Sequence, residues 1–153
     1  MHSPLPLPDG VLLTPLRRIA NPKGDIVHGM RLGEPGQQPV GEAYFSHILP
    51  GQTKGWKQHQ RMVLNLLVAA GAVDFHLHDE TTGRGAAVRI SPELPARLTV
   101  QPGIWVAFSC AGASPGVVLN LASLPHDPDE AIQRPLSAMP LEPVADPSAG
   151  ARA

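Results

Sequence analysis

Eighteen prolines and fifteen glycines are spread along the 153 residues instead of being gathered in one linker, and they cut the apolar sequence into short runs. Proline removes a backbone donor and glycine favours turns, so a chain punctuated this often cannot sustain long helices. The runs between breaks read as strands: Val11 to Leu13, Ile26 to Arg31, Gly41 to Leu49, Met62 to Ala69, Val73 to His78, Ala86 to Ile90, Arg97 to Val100, Ile104 to Ser109 and Val117 to Ala122. Their spacing of roughly 8 to 12 residues is the pattern of an all-β sandwich or barrel. Met62 to Ala70 is apolar enough for a buried helix. Its shortness, its β-branched members and the glycine at 71 favour a strand.

The length suits one domain with one core, here a barrel over about residues 10–135 with proline-rich extensions at 1–9 and 136–153. A formal charge of −1, with 16% charged residues, provides neither a basic field for nucleic acid nor an acidic tail. The single cysteine, Cys110, cannot form an intramolecular bridge, which is compatible with a reducing compartment. Met1 to Pro8 alternates proline with leucine and has neither the basic nor the unbroken apolar region of a signal peptide. No window approaches the about 20 apolar residues that span a bilayer. A soluble, cytoplasmic protein with no membrane partner is expected.

Chemistry concentrates between Pro50 and Gly71. There Gly51, Lys54, Gly55, Trp56, Lys57, Gln58 and His59 form a glycine turn and a polar strand edge that lead into the buried run from Met62. Together with Gly41 to Ser46, Leu64-Asn65, Pro102 to Trp105 and Leu124 to Glu130, this order of segments resembles the dTDP-4-dehydrorhamnose 3,5-epimerase family and the related dTDP-sugar 3,4-ketoisomerases of the cupin superfamily. The resemblance covers about residues 10 to 135. It implies a cupin jelly-roll β-barrel, commonly a homodimer, with a sugar nucleotide in the barrel mouth.

Metal-binding cupins present His-x-His with a following Glu and a later His. The corresponding places here hold Lys57, His59, Leu64 or Asn65, and Val106. One imidazole falls short of the three or four ligands a divalent transition metal requires, so no metal and no other cofactor is expected. By the same resemblance, the family histidine that removes a proton beside the ketone is replaced by Lys57. A lysine takes that role only where burial or a neighbouring cation such as Lys54 or Arg61 weakens its hold on a proton; otherwise it serves as a fixed charge. His59 matches the second histidine of the ketoisomerase Gly-x-His-x-His pattern and ranks first as acid or base. Lys54 matches the basic residue ahead of the glycine.

The candidate catalytic residues are therefore His59, Lys57 and Tyr44, the only tyrosine; the candidate substrate-binding residues are Lys54, Arg61, Trp105 and Asn65. Tyr44 serves as proton donor or as a packed side chain, and Trp105, like Trp56, as a base-stacking wall or as core. His126-Asp127 offers a carboxylate to orient a barrel histidine, or is simply a proline-bounded turn. His76 and His78, with Asp74, share one face of a strand whose other face is Val73, Phe75 and Leu77. They place a metal cupin among the alternatives, but lie outside the barrel if the apolar face points in. Dinucleotide, Walker, Gly-x-Ser-x-Gly and Cys-x-x-Cys motifs are missing. The expected activity is metal-independent epimerisation or isomerisation of a nucleotide-linked 4-keto-sugar, or of a similar carbonyl substrate, through an enolate. A non-catalytic barrel that binds a small anionic or sugar ligand is the alternative from another class.

Overall fold

A computed structural model describes residues 6–144. Its main strands are β1 (Val11–Pro15), β2 (Arg18–Ile19), β3 (Ile26–Val27), β4 (Glu42–Ile48), β5 (Thr53–His59), β6 (Leu64–Ala70), β7 (Val73–Asp79), β8 (Arg84–Ile90), β9 (Ala96–Val100), β10 (Trp105–Cys110), β11 (Gly116–Ala122) and β12 (Ala131–Gln133). Two five-stranded antiparallel sheets result, in the orders β1-β9-β6-β11-β4 and β12-β5-β10-β7-β8, with β2 and β3 as a separate ribbon. From β4 onward the chain changes sheet at every connection except the β7–β8 hairpin. That alternation is the jelly roll expected of the sequence.

β7 shows why the sheets face each other as they do. Val73, Phe75 and Leu77 alternate with Asp74, His76 and His78, and the apolar three are at most 1% exposed in the core. Burying each such side chain is worth about 1.5–3 kcal/mol, whereas turning the strand over would bury a carboxylate and two imidazoles instead. Phe75 meets Phe108 of β10 with ring centroids 6.0 Å apart. The histidines consequently lie on the outer face.

The outer faces are partly covered. Residues 28–37, expected to begin as a continuation of strand β3, instead cross the back of the first sheet. Arg97 of β9 holds them there, fully buried, donating to the carbonyls of Gly29 and Pro35 and pairing with Glu34 at 2.7 Å. These side-chain bonds replace the ladder a longer β3 would need. On the second sheet, Trp56, Trp105, Ala107 and Met139 form a small separate core. The segment after β12 closes it: the Leu136 carbonyl accepts from Trp56 Nε1 at 3.2 Å, and Arg134 lies 4.4 Å over the Trp105 ring. Part of the expected C-terminal extension is thus a packed strap; residues 1–5 and 145–153 lie outside the described residues. No helix among the described residues is long and apolar enough to cross a membrane.

Candidate functional site

Between the sheets, a cavity of about 290 Å³ opens where the core stops. Tyr44 and Ser46 of β4 and Asn120 of β11 line one wall; Lys54, Lys57 and His59 of β5 line the other. A second chamber of about 330 Å³ shares Tyr44, Lys57, His59 and Gln133 with the first and extends toward Glu42 and His126. The two form one continuous cleft.

β5 was expected as a polar edge; it is a full strand between β12 and β10. Its register carries a bulge: Lys57 pairs with Val106, but Lys54 pairs with Phe108, so three steps on β5 match two on β10. The extra residue inverts the alternation and brings Lys54 and Lys57, an odd interval apart, to the same cavity. Gly55 sits in the bulge at φ +139°. Lys54 Nζ donates to Ser46 Oγ at 3.1 Å, which bridges the two walls.

His59 is 8% exposed, and its Nδ1 lies 2.6 Å from Glu130 Oε1. The other oxygen of Glu130 accepts from the backbone N–H of Gln60 at 3.0 Å and of Arg61 at 3.4 Å. Burial pushes the Glu130 carboxyl up, but the hydrogen bond and charge of His59 and these two N–H groups outweigh it and hold the carboxyl below its usual range. An ionised carboxylate only accepts, so Nδ1 carries the proton, and in the neutral ring the lone pair is left on Nε2. A buried histidine with an oriented, basic Nε2 is the arrangement of a general base.

Four expected residues meet in the cleft: His59, Lys57, Tyr44 and Lys54. Three do not. Arg61 is exposed and pairs with Asp127 at 3.2 Å. Trp105 faces the outer core, with Nε1 donating to Glu80 at 2.8 Å, because its neighbour Val106 takes the inward position. Asn65 alternates with the inward Leu64 and Leu66 and so points outward beneath residues 28–37. There it accepts from Thr99 Oγ1 at 2.6 Å and donates to the Gly36 carbonyl at 3.0 Å. Asn65→Ala strands both partners at about 1–3 kcal/mol each, so it is expected to lower stability in urea titration by about 2–6 kcal/mol while leaving KM unchanged.

Glu130, Asn120 and Gln133 were not singled out from the sequence. Glu130 lay in a quoted segment, but its neighbour Asp127 looked equally able to orient a histidine; the pairing of Asp127 with Arg61 removes it. His126 offers its backbone N–H to Glu42 at 2.8 Å.

On the outer face, His76 Nε2 meets Ser109 Oγ at 3.2 Å, and Ser109 meets Thr53 Oγ1 at 2.8 Å. No three His, Cys, Asp or Glu side chains among the described residues come together as metal ligands. Burial pulls the His76 imidazole below its ordinary value of 6.5, against an opposing effect of the Asp74 charge. A depressed folded value means that the neutral ring's stabilisation is complete above about 6.5 and is lost as pH falls through the folded value. Urea titrations from pH 7 to pH 5 are expected to show that component in the wild type and to lose it in His76→Gln; parallel curves would remove His76 as its source.

The fold has solved counterparts. A dTDP sugar isomerase from Desulfovibrio desulfuricans G20 is 33% identical, with a TM-score of 0.79 over 85% of this chain and 87% of that one. A sugar 3,4-ketoisomerase from Thermoanaerobacterium thermosaccharolyticum, solved with TDP, is 18% identical, with a TM-score of 0.70 over 84% of this chain and 90% of its own. A 4-keto-6-deoxy sugar epimerase from Streptomyces spheroides is 19% identical, with a TM-score of 0.73 over 86% of this chain and 72% of its own. At these lower identities the last two are similar in fold alone. No protein-family model and no curated protein sequence matches the chain.

Proposed function

The chain belongs to the dTDP-sugar isomerase and epimerase family of cupins, and from that premise we propose that it enolises a nucleotide-linked 4-keto-sugar with His59 as the base. The observation that carries this reading is His59 on the cavity wall, paired at 2.6 Å with the buried Glu130. Nε2 of His59 takes the proton from the carbon beside the ketone, and the Glu130 carboxylate stabilises the imidazolium that forms. A base so placed contributes about 10²–10⁴-fold.

The electrons move onto the ketone oxygen, and Lys57, with Lys54 in the same cavity, supplies positive charge where that oxyanion develops. Lys57 thus acts as the electrophile and not as a replacement base. Tyr44 stands on the opposite sheet from His59 and can protonate the enolate from the other wall. Return of a proton to the same carbon from that wall inverts it; return to the former carbonyl carbon, with the proton of the adjacent hydroxyl passing to the former ketone oxygen, moves the carbonyl to the neighbouring carbon. The first chamber offers one imidazole beside two lysines, a poor donor set for a divalent cation, and the carboxylates and second histidine of the adjoining chamber do not gather with it into a ligand set, so no step is assigned to a metal. A cytoplasmic homodimer belongs to the same reading, and sedimentation checks the assembly.

The test is NMR of dTDP-4-keto-6-deoxyglucose in deuterated buffer with wild type and with His59→Asn. Deuterium entering beside the carbonyl with the wild type, and not with a variant that still broadens the ligand lines, is expected. Line broadening without exchange in the wild type would make the protein a sugar-nucleotide binder, and neither signal would remove sugar nucleotides as substrates.

A further inference from the structure

Position 120 is where the cavity departs from what packing alone would select. Gly116, Val118, Asn120 and Ala122 are the buried, inward residues of β11, and Asn120 sits between Leu66 of β6 and Tyr44 of β4 in the first sheet. It is 2% exposed, lines the cavity, and donates from Nδ2 to Tyr44 Oη at 3.0 Å. Its Oδ1 is buried and has no partner among the described residues. An orphaned buried acceptor is costly, and an apolar residue of the same size would remove that cost. The other polar groups on these walls leave a role for it: Gln133 is exposed on β12, and His59 Nε2 is committed to the carbon proton. Lys54 and Lys57 only donate, and Ser46 Oγ already accepts from Lys54. A ketone oxygen entering the cavity finds donors in abundance, whereas a ring hydroxyl needs an acceptor.

Asn120 also acts on Tyr44. Because its amide N–H already occupies the phenol oxygen, the phenol hydrogen is directed away from Asn120, toward whatever fills the cavity. Resting on the enolisation reading above, we infer that Asn120 accepts the hydroxyl next to the substrate carbonyl and at the same time aims the Tyr44 proton at the adjoining carbon. The hydroxyl is the neighbouring one because the same amide touches the proton donor. Asn120 is thereby a specificity and positioning residue for α-hydroxy ketones. No covalent step is added: one hydrogen bond forms to Oδ1, and the phenol proton passes to carbon while the phenolate is left beside the amide N–H.

The experiment compares the rate of deuterium uptake beside the carbonyl of dTDP-4-keto-6-deoxyglucose and of its 3-deoxy counterpart, which can enolise although it can neither invert at C3 nor move its carbonyl there, on wild type, Asn120→Leu and Asn120→Asp. Sites built to hydrogen-bond a hydroxyl reject analogues lacking it by up to about 10⁴–10⁵-fold. The wild type is expected to favour the hydroxylated substrate by at least about 10²-fold in kcat/KM, and Asn120→Leu to bring the ratio within about ten-fold. Asn120→Asp keeps an acceptor but draws the phenol proton to itself, so kcat is expected to fall on both substrates while KM for the hydroxylated one holds. A wild-type ratio preserved in Asn120→Leu, or equal losses on both substrates, would overturn the inference.

Calorimetric binding of the non-reacting dTDP-6-deoxyglucose and its 3-deoxy counterpart separates this from the enolisation reading. An affinity gap that Asn120→Leu closes upholds the hydroxyl contact even if no deuterium exchange is found. Equal affinities in the wild type overturn it even if exchange is fast.

Discussion

Glu130→Gln is expected to lower turnover about 10³-fold, with binding of the sugar nucleotide changed little. The reason lies in the two sides of the carboxylate. Oε2 accepts from the backbone N–H groups of Gln60 and Arg61, and Oε1 faces His59 Nδ1. In the amide, the oxygen must stay with the backbone donors, since an NH₂ group there would oppose two N–H groups. The NH₂ group then faces Nδ1 and turns the imidazole into the tautomer with its proton on Nε2. That nitrogen can no longer remove a proton from carbon.

Shape and volume are preserved, so the fold remains and the loss falls on kcat. Glu130→Asp retains the charge at a longer reach and is expected to recover part of the rate. Single-turnover measurements with both variants, alongside the imidazole NMR signals of His59, check this. A Glu130→Gln enzyme within ten-fold of wild type would show that the pair only supports the barrel. The Glu130 carboxyl is held below its ordinary value of 4.5, so the stability it lends is complete above about 4.5 and is lost as pH falls through the folded value.

Gly55→Ala is expected to cost about 2–6 kcal/mol, the largest stability loss of any single methyl in the site. At φ +139° an L side chain is strained, and its Cβ would stand 2.5 Å from Ala107 Cβ and 2.7 Å from Ala107 Cα. The second of these is backbone, which cannot swing aside. Gly51 provides the control: at φ +76°, with nothing within 4 Å, Gly51→Ala incurs conformational strain without the clash. Its expected cost is about 1 kcal/mol. Urea titration of the two variants reads the difference, and equal losses would show that the approach of β5 to β10 is not the constraint. Because the bulge directs Lys54 into the cavity, Gly55→Ala should also weaken binding of the anionic ligand, while Gly51→Ala leaves it intact.

Much of the barrel was legible because it depends on short-range pattern. In β7 three apolar side chains alternate with three polar ones, and the cost of burying the polar set leaves one orientation. The same logic placed His76 and His78 outside once the apolar face turned in. His59 and Lys57, two residues apart on one strand, had to share a face wherever that strand lay. Other assignments failed at a single step of alternation. Asn65 and Trp105 each stand beside a residue with a better claim on the interior, Leu64 or Leu66 in one case and Val106 in the other. Composition around them could not tell which member would face the cleft, since a covered outer layer, polar under residues 28–37 and apolar under the C-terminal strap, accepts the other.

The sequence by itself determined an all-β chain with a polar β5 carrying one histidine and two lysines, because turn chemistry and alternation are local properties. Only the tertiary structure decided that Lys54 joins Lys57, since a bulge is a mismatch between two strands and belongs to neither. It alone chose Glu130 over Asp127 as the partner of His59 and left the Asn120 carbonyl unmatched in the cavity. Those facts depend on residues 71 and 76 positions apart meeting on or beside neighbouring strands. Hydrogen bonding at that separation follows from how the sheets close, and no local spacing encodes it.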